Sequence, residues 1–402
     1  MISRRSLIKN SILGMAGACA VHQNLYGRQP ANIEPTGIKI TNVKPYVFRK
    51  ATFVKIETNA GISGWGEGDH DHPELIAAVI NEICKELVIG HDPFDTEYLW
   101  MQMYFKGEDA GTTGLLPGAI AGVDNALWDL KGKILNLPVH KISGASRIDK
   151  VRVYGSFGRS GGKYGQKNPA EMAATAAEYV DQGYKTIKAR MQIRQLNVDP
   201  DPDPTYDIVK EIRKVIGDEI ELFVDFNNGY TPAKAITVAK KLYEHFNIAA
   251  VEEPVSYHNY PGLCQVVEAL DIPVMAGEHE FNKWQMRDLM LIGKVDIINA
   301  DCIKCAGFSE NRKIAAMAHA FDKTIMTHNT RPMLATAASL QLIASIPNAA
   351  RVQEYAGKRP ELGLNHLFEN YFEYKDGYLS IPQEPGMGLV VNEKAMEETK
   401  LN

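Results

Sequence analysis

The sequence is short of cysteine, with five among 402 residues, at positions 19, 84, 264, 302 and 305. Five scattered thiols make no disulfide framework. A basic excess is missing as well: the formal net charge is −5, which argues against the electrostatic footprint of a nucleic-acid-binding protein. No apolar run reaches the roughly 18 residues that a membrane-spanning helix needs. Low-complexity tracts are lacking too. The nearest approach, Asp199-Pro-Asp-Pro-Asp-Pro204, has neither the glycine nor the distal glutamate of a calcium loop, and it reads as a stiff exposed loop. What is present is an ordinary globular composition, 45% apolar and 23% charged. The chain is long enough for a barrel of about 250 residues and a second domain.

Residues 1–30 stand apart. Ser3-Arg4-Arg5-Ser6-Leu7-Ile8-Lys9 precedes a short apolar run from Ile12 to Val21 that has no acidic residue. This order resembles a twin-arginine export signal, and it implies an exported, periplasmic protein. Ala18-Cys19-Ala20 offers a small-residue cleavage site. Lipoprotein anchoring at Cys19 is a weaker option, because Ala16 stands where an aliphatic residue is preferred, and a plain basic tail is the bland alternative.

From residue 37 to 150 the pattern is α+β. Ile38–Phe48, Thr52–Thr58 and a piece ending in "GISGWGEG" read as strands, with Asn59-Ala60-Gly61 as a hairpin turn. Helical periodicity follows over Pro73–Leu87 and Pro117–Gly132. Between 151 and 364 the texture changes to apolar runs alternating with amphipathic helices. The runs are "VRVYGS", "TIKAR", "LFVDF", "AAVEEP", "PVMAGE", "DIINAD", "TIMTH" and "RVQEY". Eight such units predict an α/β fold with a closed parallel (β/α) barrel. The closing pieces "DGYLSIP" and "GMGLVV", within 365–402, come too late for the barrel and are expected to return to the first domain.

Each predicted barrel strand ends in a polar or charged residue: Lys188 and Arg190, Asp225 and Asn227, then Glu252, Glu278, Asp301, His328 and Glu354. Their spacing of about one strand–helix unit places them at one level, the C-terminal mouth where barrel enzymes carry their sites. Asp225, Glu252 and Glu278 on successive strands would repel one another unless a cation neutralised them. An all-oxygen set suits Mg²⁺ better than zinc. Asp301 beside His328 would fix the tautomer of the imidazole and make it a general base. Glu354 is placed to meet a substrate group. Lys188 and Arg190, two residues apart, would face the interior and suit an anionic substrate. The Cys302–Cys305 pair lacks the second pair of soft ligands that zinc requires, and it is expected to be structural.

These residues resemble the enolase superfamily in its mandelate racemase and muconate lactonizing enzyme branch. The matching stretches include "AGVDNALWDLKGKILNLPVHKISGA", "VDFNNG", "VEEPV", "AGEHE", "NADCIKCAGFSE", "THNTRP" and "DGYLSIPQEPGMGL", in order along nearly the whole chain. The resemblance implies a modified TIM-type (β/α) barrel with an α+β capping domain, built from 37–150 and completed by 365–402. It implies Asp225, Glu252 and Glu278 as Mg²⁺ ligands, Asp301 and His328 as a dyad, and Glu354 as a contact to the substrate carboxylate. Lys188 matches the first lysine of the family's Lys-x-Lys motif. Arg190 departs from the second, and a guanidinium cannot act as a base for the opposite face, which disfavours a racemase or epimerase.

The activity implied is therefore that of an acid-sugar dehydratase acting on an aldonate or aldarate. Removal of the proton α to the carboxylate, an enediolate and β-elimination of water would give a 2-keto-3-deoxy acid. A cycloisomerase that opens an anhydro-sugar acid or lactone by the same first step is the alternative, and a non-catalytic sugar-acid-binding protein is a third. A homo-oligomer is implied as well. Asn227 and His279 are further candidates for substrate contact, whereas His70 and His72, on the loop Gly66–His72, read as solvated.

Overall fold

The computed structural model describes residues 37–144, 148–159, 167–357 and 359–401, so the segment that resembles an export signal, with Cys19, lies outside the described residues. The first layer is an antiparallel meander of β1 (Ile40–Phe48), β2 (Ala51–Thr58) and β3 (Ser63–Gly68). Its alternation is the reason it forms a sheet: Val54 and Ile56 turn to the core while Lys55 and Glu57, alternating with them, stay partly exposed. Helix α1 begins at Pro73 as expected, but Pro73–Val79 runs on through a π-helical stretch, Ile80–Cys84, to Val88. Helix α2 (Thr96–Lys106) and the long α3 (Leu115–Leu135) complete the layer.

Helix α3 lies on β3 at very short range. A Cβ on Gly66 would stand 2.3 Å from the Gly122 carbonyl oxygen and 2.5 Å from the Ala126 nitrogen. Gly64 and Gly68 face the same helix two residues either way. The alternation in "GWGEG" is thus a bare strip on which a helix backbone rests.

The second layer is the barrel. Eight parallel strands follow one another: β4 (Lys150–Gly158), β5 (Thr186–Arg190), β6 (Glu221–Asp225), β7 (Ala250–Glu252), β8 (Val274–Ala276), β9 (Ile297–Ile298), β10 (Thr324–Ile325) and β11 (Val352–Tyr355). They pair in chain order from β4 to β10, and β11 returns to β4. The ring is not closed by a continuous ladder. Between β10 and β11 only an isolated bridge, Ile325 to Ala349, spans the gap, because β10 is two residues long. Helices surround the strands, among them α4 (Pro169–Asp181), α5 (Thr205–Ile216), α6 (Pro232–Phe246), α7 (Tyr260–Ala269), α8 (Lys283–Asp288), α9 (Phe308–Ala320) and α10 (Leu334–Ser345), the last buried along its whole length up to Ala344. Helix α4 starts on a capping box, with Asn168 and Glu171 satisfying each other's backbone N–H groups.

The last segment divides in a way the sequence pattern did not suggest. The "DGYLSIP" hairpin, β12 (Tyr374–Lys375) and β13 (Tyr378–Ser380), adds antiparallel to β4 and so extends the barrel sheet instead of returning to the first domain. The chain beyond it does return. Met387 N–H donates to Asp129 Oδ1 at 2.8 Å, and helix α11 (Glu393–Thr399) sets Glu393 against Lys55 and Trp65.

Candidate active site

The register of the parallel strands sets the level of the site. Arg190, Asp225 and Glu252 are direct neighbours across β5, β6 and β7. Glu278, Asp301 and His328 lie two or three residues past the ends of β8, β9 and β10, on the same C-terminal side. Lys188 rises from β5 into the barrel interior, above the Tyr154 ring at 5.4 Å. Its ammonium donates to both oxygens of Glu252 at 2.7 Å and lies 3.2 Å from Glu354 Oε1. Arg190 Nε sits 3.3 Å from Asp225 Oδ2.

On the other side of the mouth, His328 Nδ1 is 2.7 Å from Asp301 Oδ2. A carboxylate only accepts, so Nδ1 carries the hydrogen and Nε2 is the nitrogen left for chemistry. That Nε2 is 3.3 Å from Glu278 Oε2. The other oxygen of Asp301 accepts from Ile303 N–H at 2.7 Å, which fixes the carboxylate in place. Glu354 accepts from Asn329 N–H at 2.9 Å.

Burial and charge work against each other throughout. Burial opposes the charged form of His328, but Glu278 and Asp301 outweigh it and raise its pKa to about 9. Burial likewise opposes the Glu354 charge, yet Lys188 and His328 hold it down at about 2. Glu278 is kept well below the usual carboxylate range by His328, Lys304 and Arg190 in spite of its burial. For Glu252 burial prevails over Lys188 and pushes the carboxyl up to about 8, and Asp225 is raised for the same reason against Lys188 and Arg190. The mouth therefore holds more buried carboxylates than its own cations neutralise. That surplus, made only of oxygen donors, fits a hard divalent cation.

The ligand atoms are not all drawn together, however. Glu252 is turned onto Lys188, and among the described residues two sets of potential ligands have atoms within 4.8 Å of one another: Glu253, Glu278 and His279 at the mouth, and Asp69, His70 and Asp71 on the capping loop. Glu253 was not singled out by the strand-end pattern, because it is the neighbour of the expected ligand and carries a left-handed φ of 42° that turns it the other way. His279 stacks on Tyr257 with ring centroids 4.6 Å apart and is lowered to about 4 by burial, so it is neutral. Asn227, expected to meet substrate, spends its amide on Asp225 Oδ2 at 2.8 Å while its carbonyl oxygen accepts from Gln192 N–H.

The capping layer also reaches the mouth. His70 is not a solvated loop histidine: its side chain is 14% exposed, and burial with Arg331 and Lys304 nearby lowers its pKa to about 3. His72 is exposed, as expected. The loop 301–307 is tied to the cap by Asn125, which donates to the Cys302 carbonyl at 3.0 Å, and by Trp100, which donates to the Ala306 carbonyl at 2.8 Å. Cys302 and Cys305 are buried, free thiols within this clamp.

Residues 171–395 match the enolase C-terminal domain-like family, and residues 25–144 match the mandelate racemase / muconate lactonizing enzyme N-terminal domain. The chain belongs to the enolase superfamily, in its mandelate racemase branch. Among curated relatives of this superfamily member, a D-galactarolactone cycloisomerase from Agrobacterium fabrum is 31% identical, over 88% of this chain and 92% of its own. An arabinonate dehydratase from Saccharolobus solfataricus is 29% identical, over 86% and 89%. Among solved structures, the 3,6-anhydro-D-galactonate cycloisomerase from Zobellia galactanivorans aligns with a TM-score of 0.80 at 28% identity, covering 90% of this chain and 100% of its own. A mandelate racemase/muconate lactonizing protein from Paracoccus denitrificans, complexed with magnesium, aligns with a TM-score of 0.83 at 26% identity, covering 91% and 100%.

Proposed function

We propose that this chain is a Mg²⁺-dependent acid-sugar dehydratase acting on an aldonate or aldarate. The observation that carries it is the buried Asp301–His328 pair, whose free Nε2 faces the carboxylates at the mouth. Asp225, Glu252 and Glu278 would hold the cation, which polarises the substrate carboxylate and lowers the acidity barrier at the α carbon. Holding it requires Glu252 to swing off Lys188. That movement frees the ammonium for the substrate carboxylate, beside Glu354.

The steps then follow from the residues. His328 Nε2 accepts the proton α to the carboxylate, and Asp301 stabilises the imidazolium that forms. Lys188 and Arg190 stabilise the negative charge that develops on the enediolate. The β-hydroxyl departs as water, taking the proton back from His328, and the enol relaxes to a 2-keto-3-deoxy acid. Arg190 cannot return a proton on the opposite face, since its neighbouring carboxylates raise its pKa further despite burial. One-face chemistry is therefore favoured over racemisation.

The similarity to two cycloisomerases supports a second reading, in which a ring oxygen replaces the hydroxyl as leaving group. Incubating the protein with Mg²⁺ and an acid-sugar library, followed by mass spectrometry, separates the two. A product lighter by one water supports the dehydratase, and a product of unchanged mass supports the cycloisomerase. If no acid sugar exchanges its α proton with D₂O, both readings fall. The twin-arginine pattern supports export of the folded protein and a periplasmic location, and family membership supports a homo-oligomer; fractionation and light scattering test these.

A further inference from the structure

Lys304 is a nearly buried lysine that lies in the field of several carboxylates and is paired directly with no described one. It lies three residues after Asp301, its residue is 8% exposed, and it makes no hydrogen bond or ion pair with any described residue. The Phe281 ring centroid lies 5.9 Å from the ammonium. Across the mouth Arg331 is in a similar state, with Nε shut off from solvent and lacking an acceptor. Both charges act on His70, which stays neutral between them. The cations at the reacting end are already engaged, Lys188 with Glu252 and Glu354, and Arg190 with Asp225.

A nearly buried ammonium is costly unless something accepts from it, and an anion offsets that cost better than a hydroxyl. The carboxylates whose charges reach Lys304, Glu278, Asp301, Asp69 and Glu253, are each committed elsewhere: to His328, to His328 and Ile303 N–H, to the loop N–H groups of His70 and Asp71, and to the Asn228 amide. A substrate with its reacting carboxylate beside Lys188 and its α carbon at His328 would extend its far end toward Lys304 and His70.

We propose that Lys304, supported by Arg331 and neutral His70, binds a second carboxylate at the far end of the substrate, so that the preferred substrates are diacids. The proposal rests on the acid-sugar reading above and sharpens it from acid sugars in general to aldarates and their anhydro or lactone forms. The raised pKa of Lys304, caused by Glu278 and Asp301 against burial, keeps it charged and suits binding over proton donation.

The test compares aldarates with aldonates of matching stereochemistry in the full-length Mg²⁺-loaded protein. Binding is read by calorimetry, and α-proton exchange in D₂O by NMR. The wild type should bind the diacid at least about 10-fold more tightly. Lys304→Met should lose roughly 30-fold or more of diacid affinity and leave the aldonate within about 3-fold, while Lys304→Arg should keep most of the preference. The loss should appear in KM, with kcat little changed. Equal binding of the two acids by the wild type, an equal loss on both in Lys304→Met, or no measurable binding of either would overturn the subsite. Diacid binding that depends on Lys304 without any α-proton exchange would keep the subsite and sink the dehydratase reading instead. Should Lys304→Met fail to fold, Arg331→Met with the same two acids asks the same question from the other side of the mouth.

Discussion

Replacing Asp301 by asparagine barely alters the shape of the site and removes the charge that holds His328. Asp301 Oδ2 lies 2.7 Å from His328 Nδ1, and the two side chains are only 6% and 7% exposed. A hydrogen bond of that kind, with a charged partner, contributes about 1.5–3 kcal/mol. Its loss alone would slow turnover by roughly 10- to 150-fold. The geometry adds a second effect. Asp301 Oδ1 accepts from Ile303 N–H at 2.7 Å, so an asparagine keeps its oxygen there and turns its NH₂ toward His328. The amide then donates to Nδ1, and the ring hydrogen moves to Nε2, the nitrogen that must accept the substrate proton. A tautomer error of this type costs about 10⁴ in turnover in the serine protease triad. Asp301→Asn should therefore reduce α-proton exchange by about 10²- to 10⁴-fold.

Exchange in D₂O by NMR measures the loss, and ¹⁵N shifts of the histidine ring report the tautomer. The sign of the pH effect is also fixed. His328 must be neutral to accept a proton, so activity falls as pH drops below its pKa. Asp301 is one of the groups that raise that pKa, so the acid limb of the residual activity should move to lower pH. Exchange within threefold of wild type, with an unmoved acid limb, would refute the assignment of Asp301 as the residue that orients the base.

Four further outcomes are expected. Glu252→Gln should abolish Mg²⁺ binding and activity while Glu253→Gln leaves metal affinity within about 10-fold, and the reverse order by calorimetry would move the ligand set to Glu253. Gly66→Ala should destabilise the fold by about 3 kcal/mol or more, because backbone of α3 stands in the way. Gly90→Ala, at φ +84° in open space, should cost only about 1 kcal/mol, and equal losses in denaturant melts would contradict the close-packing account. Burial pushes Asp124 up to about 6 despite its bonds to Ser309, so the folded state holds this proton more tightly than the unfolded chain does. Stability should then fall as pH rises from about 4 to about 6, by about 3 kcal/mol at most, and Asp124→Asn should flatten that part of the profile. Arg190→Lys should introduce weak epimerisation detectable by chiral chromatography, and its absence would leave the single-base account without support.

Much of the site was legible because a barrel strand ends where its apolar run ends. One strand–helix unit takes about 25 residues, so carboxylates recurring at that interval from Asp225 to Glu278 must come to one mouth. The same reasoning paired Asp301 with His328 across adjacent strands. It failed where partners are chosen in three dimensions. Nothing in "TIKAR" and "VEEP" says that Lys188 will cross the barrel to Glu252, or that Asn227 will be spent on Asp225. The polar loop around His70 reads as solvated, and it is the packing of the cap on the barrel that dries the side chain. The hairpin at 374–380 was sent to the wrong layer because short alternating strands do not say which edge they will join.

By itself the sequence determined the α/β rhythm, the count of eight barrel strands and the strand-end groups from Lys188 to Glu354, since all of these depend on local period and spacing. Only the tertiary structure decided which of those groups are engaged and which are left open. Hydrogen bonds and ion pairs between distant segments depend on distances of a few tenths of an ångström, and strand and helix periods do not encode them. Lys304 shows the difference: as a letter in "NADCIKCAG" it is an ordinary lysine, and in the fold it is a nearly buried charge that no described residue pairs directly.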